Sequence, residues 1–187
     1  MKPFILASQS PRRKQLLEQA GLSFTVIPSQ MNEHFNLNVS PEEAVAQLAG
    51  DKARSILEKY PDQIVLGADT VIAIDGEILG KPADRADAEA MLRRFSGRTH
   101  DVITGVALVS AAKETVFAAR TEVTFFPLTD DEINEYIESG EPFDKAGAYG
   151  IQGLGATLVE RISGDYYAVV GLPLARVFRE LRAFNAR

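Results

Sequence analysis

A short apolar run, Phe4-Ile-Leu-Ala7, stops at Ser8-Gln-Ser10, and Pro11-Arg12-Arg13-Lys14 follows. Ser10 is a good N-cap and Pro11 suits the first helical position, so Arg12 and Arg13 fall in the first turn of a helix. Free backbone N–H groups already carry partial positive charge there. Each exposed cation costs roughly 0.3–1 kcal/mol unless an anion shares the place. With the hydroxyls of Ser8 and Ser10 as further donors, the segment is suited to cradling a phosphate. Two solvated arginines on an ordinary capped helix satisfy the same residues.

Four other stretches hold chemistry-bearing side chains. In Gly67-Ala-Asp69-Thr70 a carboxylate ends a buried-type apolar run. An unpaired charge there costs several kcal/mol unless a metal or hydrogen bonds meet it; a turn or capping Asp is the plainer reading. Glu77-Ile-Leu-Gly-Lys81-Pro82 is the far arm of an expected hairpin and returns Lys81 toward the strand that carries Asp69, although alone it is an unremarkable surface lysine. Lys52 shares helical spacing with Val45, Ala49 and Ile56, so it either snorkels to an edge or points into a polar cavity. In Asp144–Gly155, four glycines within nine residues permit left-handed turns and close backbone approach, and Gln152 stands among them with an amide that can donate and accept at once. That suits the edge of a base, and it equally suits a glycine-rich surface loop.

The elements that must position these residues follow from pattern and punctuation. Strands are expected at Phe4–Ala7 and Phe24–Ile27, with a helix over Pro11–Ala20 ended by Gly21 between them. Ser40-Pro-Glu-Glu43 opens a long helix with a capping box, reaching about Lys59. Ile64–Ala68 reads as a buried apolar run, and Val71–Ile74, Asp75-Gly76, Glu77–Leu79 as a two-residue hairpin. A helix over Ala83–Phe95 and paired strands Asp101–Val109 and Val116–Phe126 come next. Thr129-Asp-Asp-Glu132 caps a helix to about Ser139. Ala156–Ile162 and Tyr166–Val170 read as a last pair of strands before a helix from Pro173 to about Phe184. Strands alternate with helices and also pair as hairpins, so a mixed α/β sheet is expected.

Composition excludes several classes. The 187-residue chain is 45% hydrophobic and can bury one good core or two small fused lobes. Its net charge of −6 argues against a general nucleic-acid binder, so any phosphate site must be a local cluster of cations. No cysteine is present for disulfides or thiolate metal sites. With no apolar run of about 18 residues and no cleavable signal pattern, no membrane partner is expected and the cytoplasm is the default location.

Taken together, Ser8-Gln-Ser-Pro-Arg-Arg13, Gly67-Ala-Asp-Thr70, Gly80-Lys-Pro82, Ser96-Gly-Arg-Thr-His100, Asp144-Lys-Ala-Gly-Ala-Tyr-Gly-Ile-Gln-Gly153 and Gly171-Leu-Pro173 occur in the order and approximate spacing of the Maf family. The chain resembles that family over nearly its whole length. The resemblance implies a nucleoside triphosphate pyrophosphatase related in fold to the inosine triphosphate pyrophosphatases. Its expected fold is one domain over residues 1–187, α/β, with a mixed, largely antiparallel twisted sheet flanked by helices and a cleft between two fused lobes. The loop around Gln152 is similar to that of the branch acting on dTTP and UTP. By resemblance, Asp69 accepts the proton of a water that attacks the α-phosphorus, and Glu33 and Asp69 hold Mg²⁺ or Mn²⁺. Lys52 and Lys81 join Ser8, Arg12 and Arg13 around the triphosphate, while Arg12, Thr70 and Gln152 select the base. His34 and His100 read as polar or structural, since neither has a histidine partner at metal-binding spacing. A homodimer is implied as well. The competing class is a nucleotide-sensing regulator of septum formation, which needs the cations and Gln152 but not Asp69.

Overall fold

The computed structural model describes residues 1–31 and 38–185. In chain order the elements are β1 (Phe4–Leu6), α1 (Pro11–Gln19), β2 (Phe24–Val26), α2 (Pro41–Leu57), β3 (Val65–Ile74), β4 (Glu77–Leu79), α3 (Arg85–Phe95) and β5 (Thr99–Val109). They continue with β6 (Glu114–Phe125), α4 (Asp130–Glu138), β7 (Val159–Ser163), α5 (Tyr166–Val170) and α6 (Leu174–Asn185). Three 3-10 turns, Glu141–Asp144, Ala146–Ala148 and Gly153–Leu158, lie between α4 and β7. The strand order is β2-β1-β3-β5-β6-β7, with β4 on β3. β1 pairs parallel with β2 and β3, while β4 and β7 pair antiparallel with β3 and β6, so the sheet is mixed, as expected.

The chain divides into two compact units, one drawn from residues 1–70, 104–119 and the stretch beginning at Gly171, the other from 71–103 and 120–170. In the first unit, parallel pairing leaves β1 and Val65–Asp69 buried throughout, the pattern of strands covered on both faces. The expected capping box starts α2: Glu43 N–H donates to Ser40 Oγ (3.2 Å), and Ser40 N–H to Glu43 Oε2 (3.2 Å). Ala49, Ala53 and Ile56 of α2 then pack with Ile5, Val65 and Ala107. In the second unit, Asp75 and Gly76 both take positive φ in the two-residue turn joining β3 to β4. Its core gathers Leu92 and Phe95 of α3, Phe125 of β6, Ile133 and Ile137 of α4, and Tyr149.

Three expectations are corrected. β3 runs unbroken through Asp69 and Thr70, so neither residue sits at a strand end or turn. Residues 156–158 belong to a 3-10 turn, and β7 starts only at Val159. Tyr166–Val170 is a helix, not a strand. Gly164 has φ 137°, and Asp165 Oδ1 then accepts the N–H groups of Tyr167 (2.8 Å) and Ala168 (3.4 Å). That side-chain cap overrides the strand propensity of the Tyr-Tyr-Ala-Val-Val sequence.

Candidate active site

Two glycines let α2 lie directly on the sheet of the first unit. A Cβ on Gly67 would overlap the Ala49 carbonyl oxygen and come within 2.9 Å of Ala53 Cβ, and one on Gly105 would overlap the carbonyl of Val45. This close approach brings Lys52 of α2 onto Asp69, which shares the Gly67 face of β3 because alternate strand residues point the same way. Lys52 Nζ lies 2.7 Å from Asp69 Oδ1. The two residues are only 7% and 8% exposed. Lys52 therefore points inward and does not snorkel. The carboxylate that a buried strand could not carry alone has its counter-charge from the helix above it. Oδ2 is the oxygen that Lys52 does not engage.

Thr70, one residue on, faces the opposite side of the sheet. There Arg13 of α1 is buried and donates three ways: Nη2 to Thr70 Oγ1 (2.9 Å), Nη1 to Ser8 Oγ (3.0 Å) and Nε to the Gly171 carbonyl (2.8 Å). Thr70 also shares a hydrogen bond with Thr104 Oγ1 of β5 (2.8 Å). Ser8 Oγ accepts a second N–H from Ser10 (3.2 Å), so its own proton is what it has left to donate. Ser10 caps α1 as expected, accepting from Arg13 N (3.5 Å), and Arg12 is half-buried in the same first turn. Ser8, Arg13 and Thr70 thus form one cluster and Lys52 and Asp69 another, side by side along β3 past the point where its pairing with β1 ends at Leu66.

Lys81 and Gln152 belong to the second unit and are both exposed. Their segments are tied to each other, because Gly147 N–H donates to the Gly80 carbonyl (2.9 Å). Gly147 has φ 70°, and a Cβ there would press on the Ile72 side chain, so this position needs glycine. The loop holding Gln152 is fastened on both sides. Before it, Gly150 N–H donates to Tyr136 Oη of α4 (3.2 Å), and Tyr149 Oη meets His100 Nε2 (2.6 Å). After it, the N–H groups of Leu154 and Gly155 donate to Glu141 Oε1 (3.1 Å) and Oε2 (3.3 Å). Lys145 Nζ reaches the Glu141 carbonyl (2.7 Å) and Asp144 Oδ1 (2.6 Å).

His100 is 2% exposed among Phe95, Phe125 and Tyr149, and burial pulls its pKa down to about 3. Its Nδ1 has no hydrogen-bond partner among the described residues, so a second ring proton would face no acceptor. Burial pushes Tyr136 up to about 12 and Tyr149 well above its ordinary value. These three groups are neutral structural members near pH 7. Glu33 and His34 lie outside the described residues. Sequence reasoning missed Thr104, the Gly171 carbonyl, Tyr136 and Glu141. Glu141 left a signal, as an acid just ahead of a glycine run whose backbone donors need acceptors, and Gly171 stood in the Gly171-Leu-Pro173 motif with no role given to its carbonyl.

The sequence matches the family model described as Maf-like protein over residues 3–184. The dTTP/UTP pyrophosphatase of Bacillus velezensis is 54% identical over 186 residues, covering 100% of this chain and 98% of that one. The dTTP/UTP pyrophosphatase of Halalkalibacterium halodurans is 54% identical over 182 residues, 97% of this chain and 96% of the other.

Proposed function

The chain belongs to the Maf-like protein family, and from that premise we propose that it hydrolyses dTTP and UTP to the nucleoside monophosphate and pyrophosphate by attack of water on the α-phosphorus. The observation that carries this reading is its 54% identity, along its whole length, to a dTTP/UTP pyrophosphatase. The buried pair supports it chemically. Lys52 holds the Asp69 carboxylate in one orientation, and Oδ2 takes the proton of the attacking water. The Ser8 hydroxyl proton and the Arg12 guanidinium donate to phosphate oxygens, with Arg13 fixing Ser8 from behind. Lys81 meets the departing pyrophosphate, where negative charge accumulates. Arg12, Thr70 and Gln152 select the base, the Gln152 amide pairing with the alternating acceptors and donor of a uracil or thymine edge.

The donor chemistry fits a hard divalent cation. The chain has no cysteine, and Mg²⁺ or Mn²⁺ is commonly held by one or two carboxylates together with substrate phosphates. Among the described residues no three His, Cys, Asp or Glu side chains stand together; the family resemblance points to Asp69 and Glu33 as the ion's ligands, with the nucleotide completing its shell. When bound, it would make water more acidic and screen the phosphates. With Lys52 balanced by Asp69, the cations Arg12, Arg13 and Lys81 alone do not neutralise a tetra-anion, which is the demand such an ion meets.

A homodimer in the cytoplasm completes the reading; no helix among the described residues is long and apolar enough to cross a membrane. The test is purified protein with magnesium against a panel of nucleoside triphosphates, scoring pyrophosphate and monophosphate. dTTP and UTP are expected to turn over fastest. Asp69→Asn is expected to abolish turnover while nucleotide binding stays within about tenfold of the parent. Binding without pyrophosphate release by the unsubstituted protein would replace the enzyme with a sensor.

A further inference from the structure

Gln152 is exposed, in extended conformation at φ −102° and ψ 166°, and makes no cap bond of its own to the 3-10 turn that follows. A long flexible side chain on a glycine-rich loop recognises a base edge only if its backbone is held still, because ordering a loop on binding costs affinity. Within the second unit, Glu141 supplies the hold on the C-terminal side. Its two carboxylate oxygens take the N–H groups of Leu154 and Gly155, the second and third residues past Gln152. Gly153 has φ 66°, and a Cβ there would stand 2.6 Å from Glu141 Oε1, so the glycine leaves room for the carboxylate beneath the loop. On the other side, Tyr136 Oη accepts from Gly150, Tyr149 bonds His100, and the Ile151 side chain is buried. Only Gln152 and Gly153 stand between these fastenings.

We propose that Glu141 is a positioning residue for base selection: its carboxylate clamps the backbone after Gln152 and thereby sets the amide against the pyrimidine. This rests on the assignment of Gln152 to the base. Glu141 touches no nucleotide, and its contribution is confined to discrimination. A clamp that merely held the fold together would affect all nucleotides alike.

The experiment compares kcat/KM for UTP and for GTP in the parent, Glu141→Ala, Gln152→Ala and the double variant, with hydrogen exchange of residues 150–155 as a readout independent of turnover. Glu141→Ala is expected to lower the UTP-to-GTP ratio by about tenfold, less than the two lost hydrogen bonds are worth, because the fastenings before Gln152 still order part of the loop. GTP turnover should fall much less, and the Leu154 and Gly155 amides should exchange faster. Adding Glu141→Ala to Gln152→Ala should lower the ratio no further, since the clamp acts through that one side chain. Glu141→Gln keeps the volume and one acceptor oxygen; it should fall part of the way and serves if the alanine variant does not fold. Equal losses for both nucleotides in the Glu141 variants, alongside a lowered ratio in Gln152→Ala, would overturn the clamp and leave base reading intact. An unchanged ratio in Gln152→Ala would overturn base reading and this inference with it.

Discussion

A lysine and an aspartate 2.7 Å apart and nearly out of water depend on each other more than any surface pair does. Lys52→Ala leaves the carboxylate buried and uncompensated, which is expected to cost about 3–5 kcal/mol. At about 2–4 °C per kcal/mol for a chain of this size, calorimetry should show a large fall in Tm, against almost none for Lys81→Ala on the exposed surface. A parent-like Tm for Lys52→Ala would mean that another group serves Asp69. The pair was legible in the sequence only as alternatives: helical spacing put Lys52 on an apolar stripe, but which strand residue lay beneath depended on how helix and sheet meet. His100 carries a pH signature. Its pKa is 6.5 when unfolded and about 3 in the fold, so between those values the unfolded chain binds one more proton. Its contribution to stability is present above pH 6.5 and is lost as the pH falls toward 3, by about 1.4 kcal/mol per pH unit. His100→Phe should flatten the dependence of Tm on pH by about one proton in that window; an unchanged slope would place the acid sensitivity elsewhere.

Helix α2 meets the strands at two glycines, and that contact makes the ion pair possible. Gly67→Ala should force α2 off β3, because the backbone carbonyl of Ala49 cannot yield as a flexible side chain would. A loss of about 1–3 kcal/mol is expected from overpacking, together with a drop in turnover as Lys52 is drawn from Asp69. Gly80→Ala, where an added Cβ meets nothing within 4 Å, is the control for stability. Thermal melts of both variants check this, and equal Tm values would remove the close-approach argument. Elements set by local chemistry were readable from the sequence: the boxes at Ser40/Glu43 and Thr129/Glu132 and the Asp75-Gly76 turn all formed where expected. Tyr166–Val170 was not, because its β-branched and aromatic residues favour a strand and the decision lay with Asp165, whose N–H and C=O are in turn held by Thr121 of β6. The continuity of β3 was hidden because a charged residue in mid-strand looks like a terminus until its partner is known.

On the scale of the molecule, a chain of net charge −6 meets an anionic substrate, on the proposed reading, through the local cations Arg12, Arg13 and Lys81. Stronger salt should therefore weaken nucleotide binding through those local cations, without the steep dependence of a polynucleotide binder. Light scattering at micromolar concentration is expected to give twice the 20.4 kDa chain mass, and a species of 20.4 kDa alone would count against the dimer. The bond from Arg13 to the Gly171 carbonyl spans 158 residues. A ribosome adding about 5–20 residues per second needs roughly 8–32 s to cover that distance. Throughout that interval the first helix has been made, but its buried cation lacks the backbone acceptor that joins Ser8 and Thr70 in holding it. Nascent or prematurely terminated chains that stop short of Gly171 therefore carry Ser8, Arg13 and Thr70 without their final arrangement, and the cluster these residues form is completed only once Gly171 has been made.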